Sequence, residues 1–362
     1  MALKPTITFD KDVFFPGDEI TGKIEMKLTK DLSARKIEIK FINETVTGWT
    51  RDGKPVSSAA LQKGNEVHLQ VTHQVWTPED EKNILPAGEY EWNFSFELPK
   101  DTQPTFESNF GCIRYVVGIN IDVPHFLDEH RENAVTVATQ LNLNDIPNIT
   151  DPVKFQAKEE MICCDCINFI KKGNVQFTIQ VPKSGYVAGE TIHVQGLIEN
   201  HLKAKIRAIR GALVRKTVTK SDPKNVDKNY RKNPNVGGFD DLHDKLDRVL
   251  FGAVEEVVDI PIGADHEFSF NIAIPAIAPT IRNNSHIHVE YAVQIAAIAD
   301  SMCIVESLGE APIIIGTVPI GGRGELSYVP SARGDLDTQC AADAIQRFGD
   351  KFVPKYPIFK NL

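Results

Sequence analysis

Residues 85–99 read LPAGEYEWNFSFELP. Tyr90, Trp92, Phe94, Phe96 and Leu98 alternate with Glu89, Glu91, Asn93, Ser95 and Glu97, and Pro99 stops the run. Successive side chains of a strand point to opposite faces, so this is a half-buried β-strand. Residues 262–275, IGADHEFSFNIAIP, repeat the arrangement: Phe268, Phe270, Ile272 and Ile274 alternate with Ser269, Asn271 and Ala273 up to Pro275. A second alternating strand follows each, Ile113 to Ile121 and Val289 to Ile295. Pro99 and Pro275 are 176 positions apart, as are Tyr115 and Tyr291. On this spacing Phe94 corresponds to Phe270. A repeat this long, against about 20–50 residues in a solenoid, means two copies of a whole domain.

The rest of the chain supports that division. At 362 residues it exceeds the roughly 250–300 at which one core stops growing. Phe15-Pro16-Gly17-Asp18-Glu19 reads as a turn that ends an opening strand over residues 6–15, and Gly189 occupies the comparable place in the second half. Residues 48–64 read as a hairpin tip or loop, with Val67, Leu69 and Val71 resuming strand character, and Thr77 to Asp80 can cap one helical turn. Asn142 to Asp151, with Pro147, has the composition of an inter-domain connection, and Ser221 to Leu246 reads as a solvated insertion. The expected division is 1–150, 151–318 and a tail, 319–362. After a flexible Gly-rich exit, the tail should hold a helix from Thr338 to Phe348, capped by Asp337 and stopped at Gly349.

Composition narrows the function classes. Apolar content of 42% and charged content of 25% are those of a globular protein. A net charge of −9 gives no general field for nucleic acid, and peripheral membrane contact would need a local basic patch. MALKPTITFD lacks the apolar core of a signal peptide, and no apolar run reaches the 18 or so residues of a membrane helix, so the expectation is a soluble, cytoplasmic protein.

Six cysteines form no framework of spaced pairs, which argues against a secreted adhesion module. Cys163, Cys164 and Cys166 are crowded together. CC-x-C lacks the two separated pairs of a tetrahedral zinc site. The neighbouring Ile162, Ile167, Phe169, Lys171 and Lys172 make lipidation at a membrane an alternative to plain reduced thiols. His266, His286 and His288 read as polar residues on the wet face of a sheet. No G-x-S-x-G, H-E-x-x-H, Walker A or dinucleotide fingerprint occurs, and no cofactor or metal is implied. Tyr356 and Phe359 fit a tyrosine-x-x-bulky sorting pattern, but docking of the tail onto a domain is the preferred reading.

Phe15-Pro16-Gly17-Asp18, Leu85-Pro86-Ala87-Gly88 with F-x-F-E-L-P, Arg114-Tyr115, the CC-x-C cluster and Gly185-Tyr186-x-x-Gly189-Glu190 together resemble the arrestin-domain-containing proteins, the α-arrestins. The resemblance covers about residues 5–318. It implies an all-β fold of two tandem immunoglobulin-like, arrestin-type β-sandwich domains with a short tail. It also implies a non-catalytic adaptor in endocytosis, protein transport or signalling, binding cytoplasmic tails of membrane proteins and trafficking proteins, at the plasma membrane or endosomes. Gly17, Phe94, Pro99, Arg114, Tyr115, Gly189, Phe270, Pro275 and Tyr291 are then framework. Many α-arrestins recruit a ubiquitin ligase through Pro-Pro-x-Tyr; this chain has none, only Ser327-Tyr328-Val329-Pro330 and Lys355-Tyr356-Pro357. The competing readings are a retromer-subunit-like trafficking component and, from another class, a metal or redox enzyme using the cysteine cluster.

Overall fold

A computed structural model of the chain describes residues 5–49, 62–78, 83–124, 129–165, 168–221, 244–300, 306–332, 344–345, 347–349 and 352–362. In chain order its first half contains β1 (Thr6–Phe9), β2 (Val13–Phe14), β3 (Glu19–Leu28), β4 (Leu32–Ser33), β5 (Lys36–Trp49), β6 (Gln62–Trp76), β7 (Ile84–Leu85), β8 (Gly88–Glu97), β9 (Phe106–Glu107), β10 (Gly111–Asp122) and β11 (Glu129–Val137). The second contains β12 (Val153–Asp165), β13 (Asn168–Val181), β14 (Gly185–Val187), β15 (Thr191–Leu202), β16 (Ile206–Lys220), β17 (Asp244–Ile260), β18 (Asp265–Ala273), β19 (Ile287–Ala299) and β20 (Glu306–Gly316). The tail adds β21 (Glu325–Pro330) and β22 (Lys355–Lys360).

Each half is a sandwich of two sheets; the five-strand paths correspond in order, and the other sheet of the second half carries one more edge strand, β12. The first stacks β1-β3-β8 on β2-β11-β10-β5-β6; the second stacks β12-β13-β15-β18 on β14-β20-β19-β16-β17. Facing side chains alternate along the strands and interdigitate: the Phe41 ring of one sheet stacks on Phe96 of the other at 5.3 Å. Ile20, Ile24, Phe94, Ile113, Tyr115 and Ile119 fill the first core, and Ile192, Val194, Phe268, Tyr291 and Val293 the second. Tyr115 and Tyr291 hold the ends of their cores alike, donating their hydroxyls to the carbonyls of Gln103 and Ala278 at 2.6 and 2.7 Å.

In both halves the chain crosses between sheets at a glycine. β2 runs parallel to β11 and β14 parallel to β20, and the turns that follow place Gly17 at φ 83° and Gly189 at φ 97°. That left-handed conformation is one a side chain resists. The opening stretch is therefore two short strands in different sheets, where alternation predicts one strand over 6–15.

The register also revises the repeat. Gly22 of β3 faces Phe94 across the sheet, and Gly196 of β15 faces Phe268. The equivalent of Phe94 is thus Phe268, with Phe270 equivalent to Phe96; ring pairs Phe94–Phe96 and Phe268–Phe270 stack at 5.9 and 5.8 Å. A shift of two residues keeps every side chain on its face, so alternation cannot detect it.

The stretch after Val318 is ordered into structure that the sequence reading leaves as a flexible exit. A 3-10 turn at Ile320–Gly322 leads into β21, which pairs with β22. Residues 344–345 and 347–348 are helical and Gly349 closes the turn at φ 74°, its N–H bonded to the Ile345 carbonyl at 2.9 Å. Residues 338–343, most of the 48–64 loop, Glu79 and Asp80, and residues 222–243 of the insertion lie outside the described residues.

Candidate binding surfaces

The tail lies across both sandwiches. Tyr356 sits opposite Val329 and Phe359 opposite Leu326 in the β21–β22 pair. On the first domain, Tyr356 is buried and its hydroxyl donates to the Thr105 carbonyl at 3.1 Å, while the Lys355 N–H donates to Thr136 Oγ1 at 3.1 Å. On the second, the Phe359 N–H bonds to the Ala188 carbonyl and the Ala332 N–H to that of Ala276, at 3.0 and 2.8 Å. The Phe359 ring completes a small apolar cluster with Leu143 and Ile149 of the connection and Val187. The tyrosine-x-x-bulky residues are thus covered in this conformation.

Upstream, the helical turn rests on the outer face of the first domain. Phe348, 1% exposed, packs on Val116 of β10 and Ala134 of β11. The Arg114 guanidinium lies 5.5 Å from its ring centre. Arg114 is in turn held by a two-pronged pair with Glu107 at 2.7 and 2.9 Å, both residues being almost fully buried. Arg347 reaches Glu132 of β11 at 2.5 Å and Glu44 of β5. Burial opposes its charge, and the hydrogen bonds and charges of Glu132 and Glu44 outweigh that, raising its pKa. Sequence reading singled out Arg114 but not Glu44, Glu107, Glu132 or Arg347. Their one trace is a polar run, Asn43-Glu44-Thr45, that interrupts the alternation of β5.

A second polar seam joins the domains. Thr45 Oγ1 meets His68 Nε2 at 2.7 Å and accepts from Asn284 Nδ2 at 3.1 Å; Thr47 donates to the Lys220 carbonyl at 2.7 Å. Glu66 is hydrogen-bonded by Ser285 and lies 3.6 Å from His68 and 3.4 Å from His286. The Ser285 bond first, then the two histidines, hold its carboxyl below the usual range against the cost of burial. His286 therefore serves the joint between domains instead of a wet sheet face, while the half-buried His288 turns its Nε2 to the Asn284 carbonyl of its own domain at 2.8 Å. His266 is elsewhere, on β18 opposite Ile198. Deeper in the seam, Arg215, fully buried, lies between Phe106 of the first domain and Phe251 of the second, 5.2 and 5.6 Å from their ring centres.

Open concavities remain among the described residues. A cleft of about 630 Å³ lies between the domains, bordered by Pro16, Lys100, Gln103, Leu141, Thr280 and Arg282. A groove of about 350 Å³ runs between β6 and β8, lined by Leu69, Val71, His73 and Phe96. Cys163 and Cys164 lie on β12 opposite Ile170 and Phe169. Their side chains, and Cys166, Cys303 and Cys340, are outside the described residues; Cys112 is a buried free thiol. Among the described residues no group of three metal-ligating side chains assembles, and no helix is long and apolar enough to cross a membrane.

Residues 5–144 match the family model described as "Arrestin (or S-antigen), N-terminal domain", and residues 171–320 match its C-terminal counterpart. The chain belongs to the arrestin family. Its similarity to curated relatives places it with the arrestin-domain-containing, or α-arrestin, branch. It is 24% identical over 317 residues to Arrestin domain-containing protein 17 of Caenorhabditis elegans, covering 85% of this chain and 68% of that protein. It is 23% identical over 332 residues to human Arrestin domain-containing protein 1, covering 90% and 68%. Against the mouse Arrestin domain-containing protein 1 it is 28% identical over 211 residues, 58% of this chain and 45% of that one. The arrestin matches fall on the two sandwiches, and the clamp of β21 and β22 lies beyond them.

Proposed function

We propose that this arrestin-domain chain is a non-catalytic adaptor that binds cytoplasmic tails of membrane proteins together with the machinery that sorts them. The observation that carries this reading is the pair of arrestin matches, one on each sandwich. The fold alone implies no activity, but its surfaces suit recognition. β6 and β8 end their sheets in the first domain, and β17 and β18 in the second, so backbone donors and acceptors face outward there. The groove beside β6 and β8 offers apolar purchase to an extended peptide adding as a strand. Cytoplasmic work at the plasma membrane or endosomes follows from that partner class. Without Pro-Pro-x-Tyr, ligase recruitment through that motif is not part of the proposal.

The test is affinity capture with the full chain as bait, beside proximity labelling in cells. Reproducible enrichment of membrane proteins and sorting factors is the expected result. Enrichment of neither class in both assays overturns the adaptor reading.

A further inference from the structure

We propose that the open side of the first sandwich, between the free edges of β6 and β8, takes an extended peptide whose residues alternate between apolar and basic, and that this peptide adds to β8 as a strand. The proposal rests on the adaptor reading for the natural source of the peptide and deepens it by naming the edge and the pattern that edge selects.

The repeat supplies an internal comparison. β6 and β8 correspond to β17 and β18, and Phe96 to Phe270, so Pro99 stands where Ala273 does in the second half. There the two edges meet: a Cβ on Gly252 of β17 would lie 2.6 Å from the Ala273 carbonyl oxygen and 3.2 Å from Ile272 Cγ2. At the same level of the first domain the edges part, leaving the groove of about 350 Å³ that Leu69, Val71, His73, Phe96 and Pro99 line. Its floor is apolar. The His73 ring stacks on the buried Phe96 at 4.9 Å, and Leu69 and Val71 are half-buried beside it. Along β8 the floor continues in Tyr90 and Trp92, both half-buried and stacked at 5.6 Å.

Of the two edges, β8 is the template. It pairs with β3 from Gly88 to Glu97 without a bulge, whereas β6 breaks register twice along β5. A strand added there sets its side chains alternately beside the inward and outward residues of β8. Inward positions of the guest fall over Trp92 and Phe96 and against Leu69 and Val71, which selects apolar residues. Outward positions fall beside Glu89, Glu91 and Glu97. Lys27 and Lys23 already engage the first two, at 2.6 and 3.0 Å. Glu97 instead stands opposite another carboxylate, Glu19 of β3, which accepts a hydrogen bond from the Ser95 hydroxyl at 2.6 Å. Among the described residues neither Glu19 nor Glu97 has an ion-pair partner. Like charges directly opposite in a sheet repel, and a lysine or arginine on the guest relieves that repulsion. The same acidic row turns away a second copy of the chain, because β8 paired with itself about Asn93 would set Glu89 against Glu97.

The probe is a fluorescein-labelled peptide, TKVRIKVT, titrated by anisotropy into the purified full chain. It is expected to bind at least about tenfold more tightly than TEVEIEVT, and more tightly than TKKRVIVT, which keeps the composition and loses the alternation. Glu97→Lys, an exposed change that gives Glu19 a cation, should weaken binding about fivefold. Val71→Lys puts a charge into the groove and should abolish binding; parent-like urea midpoints show that both variants fold. The unaltered chain gives a reading that needs no variant: bound peptide should slow backbone hydrogen exchange in residues 88–97. Slowing in residues 6–9 or 265–273 instead, equal affinity for the three peptides, or no binding at about 1 mM peptide overturns the proposal. So does a concentration-dependent dimer of the chain that the peptide dissociates, since the natural occupant would then be a second copy. The peptide assay uses purified protein and the capture assay uses cells, so failure of either leaves the other result standing.

Discussion

The ring of Phe94 closes over Gly22, its partner across β3 and β8: a Cβ built on Gly22 would lie 2.6 Å from Phe94 Cζ and would also strike the Thr8 carbonyl. The same pair recurs as Phe268 over Gly196, where the Cβ would meet Cζ at 2.7 Å. Gly22→Ala should therefore overpack the core and cost about 1–3 kcal/mol. Phe94→Ala should cost about 3–5 kcal/mol as a cavity. In the double variant the costs should fall short of additive, because the ring no longer resists the methyl, but the Thr8 backbone still does. Denaturant unfolding of the four proteins measures this; strict additivity would show that ring and glycine do not interact.

This pair also marks what the sequence could reveal. Alternation along Tyr90 to Leu98 and Phe268 to Ile274 exposes strands, their inward faces and the doubling of the domain, because a period of two is written directly into residue type. It equates Phe94 with Phe270 because a slip of two residues changes no face; only the glycine opposite tells the register. The aromatic residues of the tail, Tyr356 and Phe359, stand out as apolar in polar surroundings. Glu44, Glu132 and Arg347 do not, since charges on the outside of a sheet or helix look alike whether water or a distant guanidinium faces them. β21 escapes notice because a six-residue strand with mixed polarity carries little signal.

Gly17 and Gly189 occupy equivalent turns but differ in what lies beside them. Near Gly17 a Cβ meets only Lys100 Cγ, at 3.7 Å, whereas at Gly189 it collides with the Phe359 backbone carbonyl. Gly17→Ala should cost about 1–2 kcal/mol from the left-handed backbone alone. Gly189→Ala should add the loss of tail docking. Limited proteolysis within residues 355–360 distinguishes them: faster cleavage in Gly189→Ala and parent-like cleavage in Gly17→Ala. Equal cleavage of both would refute this account of the clamp.

Glu107 and Arg114 form a buried ion pair, and such pairs punish the removal of one partner more than the removal of both. Glu107→Gln should destabilise by about 3–5 kcal/mol because the guanidinium stays buried without its carboxylate. Glu107→Leu with Arg114→Met should recover much of that loss in denaturant melts. The same double change should weaken tail docking, since Phe348 loses the cation beneath its ring. A double variant as unstable as the single one would mean that this ion pair is itself a net source of stability.

Glu310 supplies a pH dependence whose sign can be worked out. Burial opposes its ionisation, but hydrogen bonds from Lys216 and Gln294 and the charges of Lys216 and Arg248 outweigh that and hold its carboxyl below the usual range. A carboxyl depressed in the folded state favours folding above its unfolded pKa of about 4.3, and that contribution disappears as pH falls through the lower folded value. Glu66 behaves alike at the seam between the domains, where His68 and His286 face it. The urea midpoint of the parent should therefore drop from pH 5 towards pH 3. Glu310→Gln should start lower at pH 7, because Lys216 and Arg248 lose their shared anion, and should fall less steeply on acidification. The two curves should converge at the acid end, where the parent's carboxyl is itself neutral. Midpoints are the suitable measure, since two domains need not unfold in one step. Parallel curves across this range would assign the acid sensitivity to other carboxylates and remove Glu310 from the account.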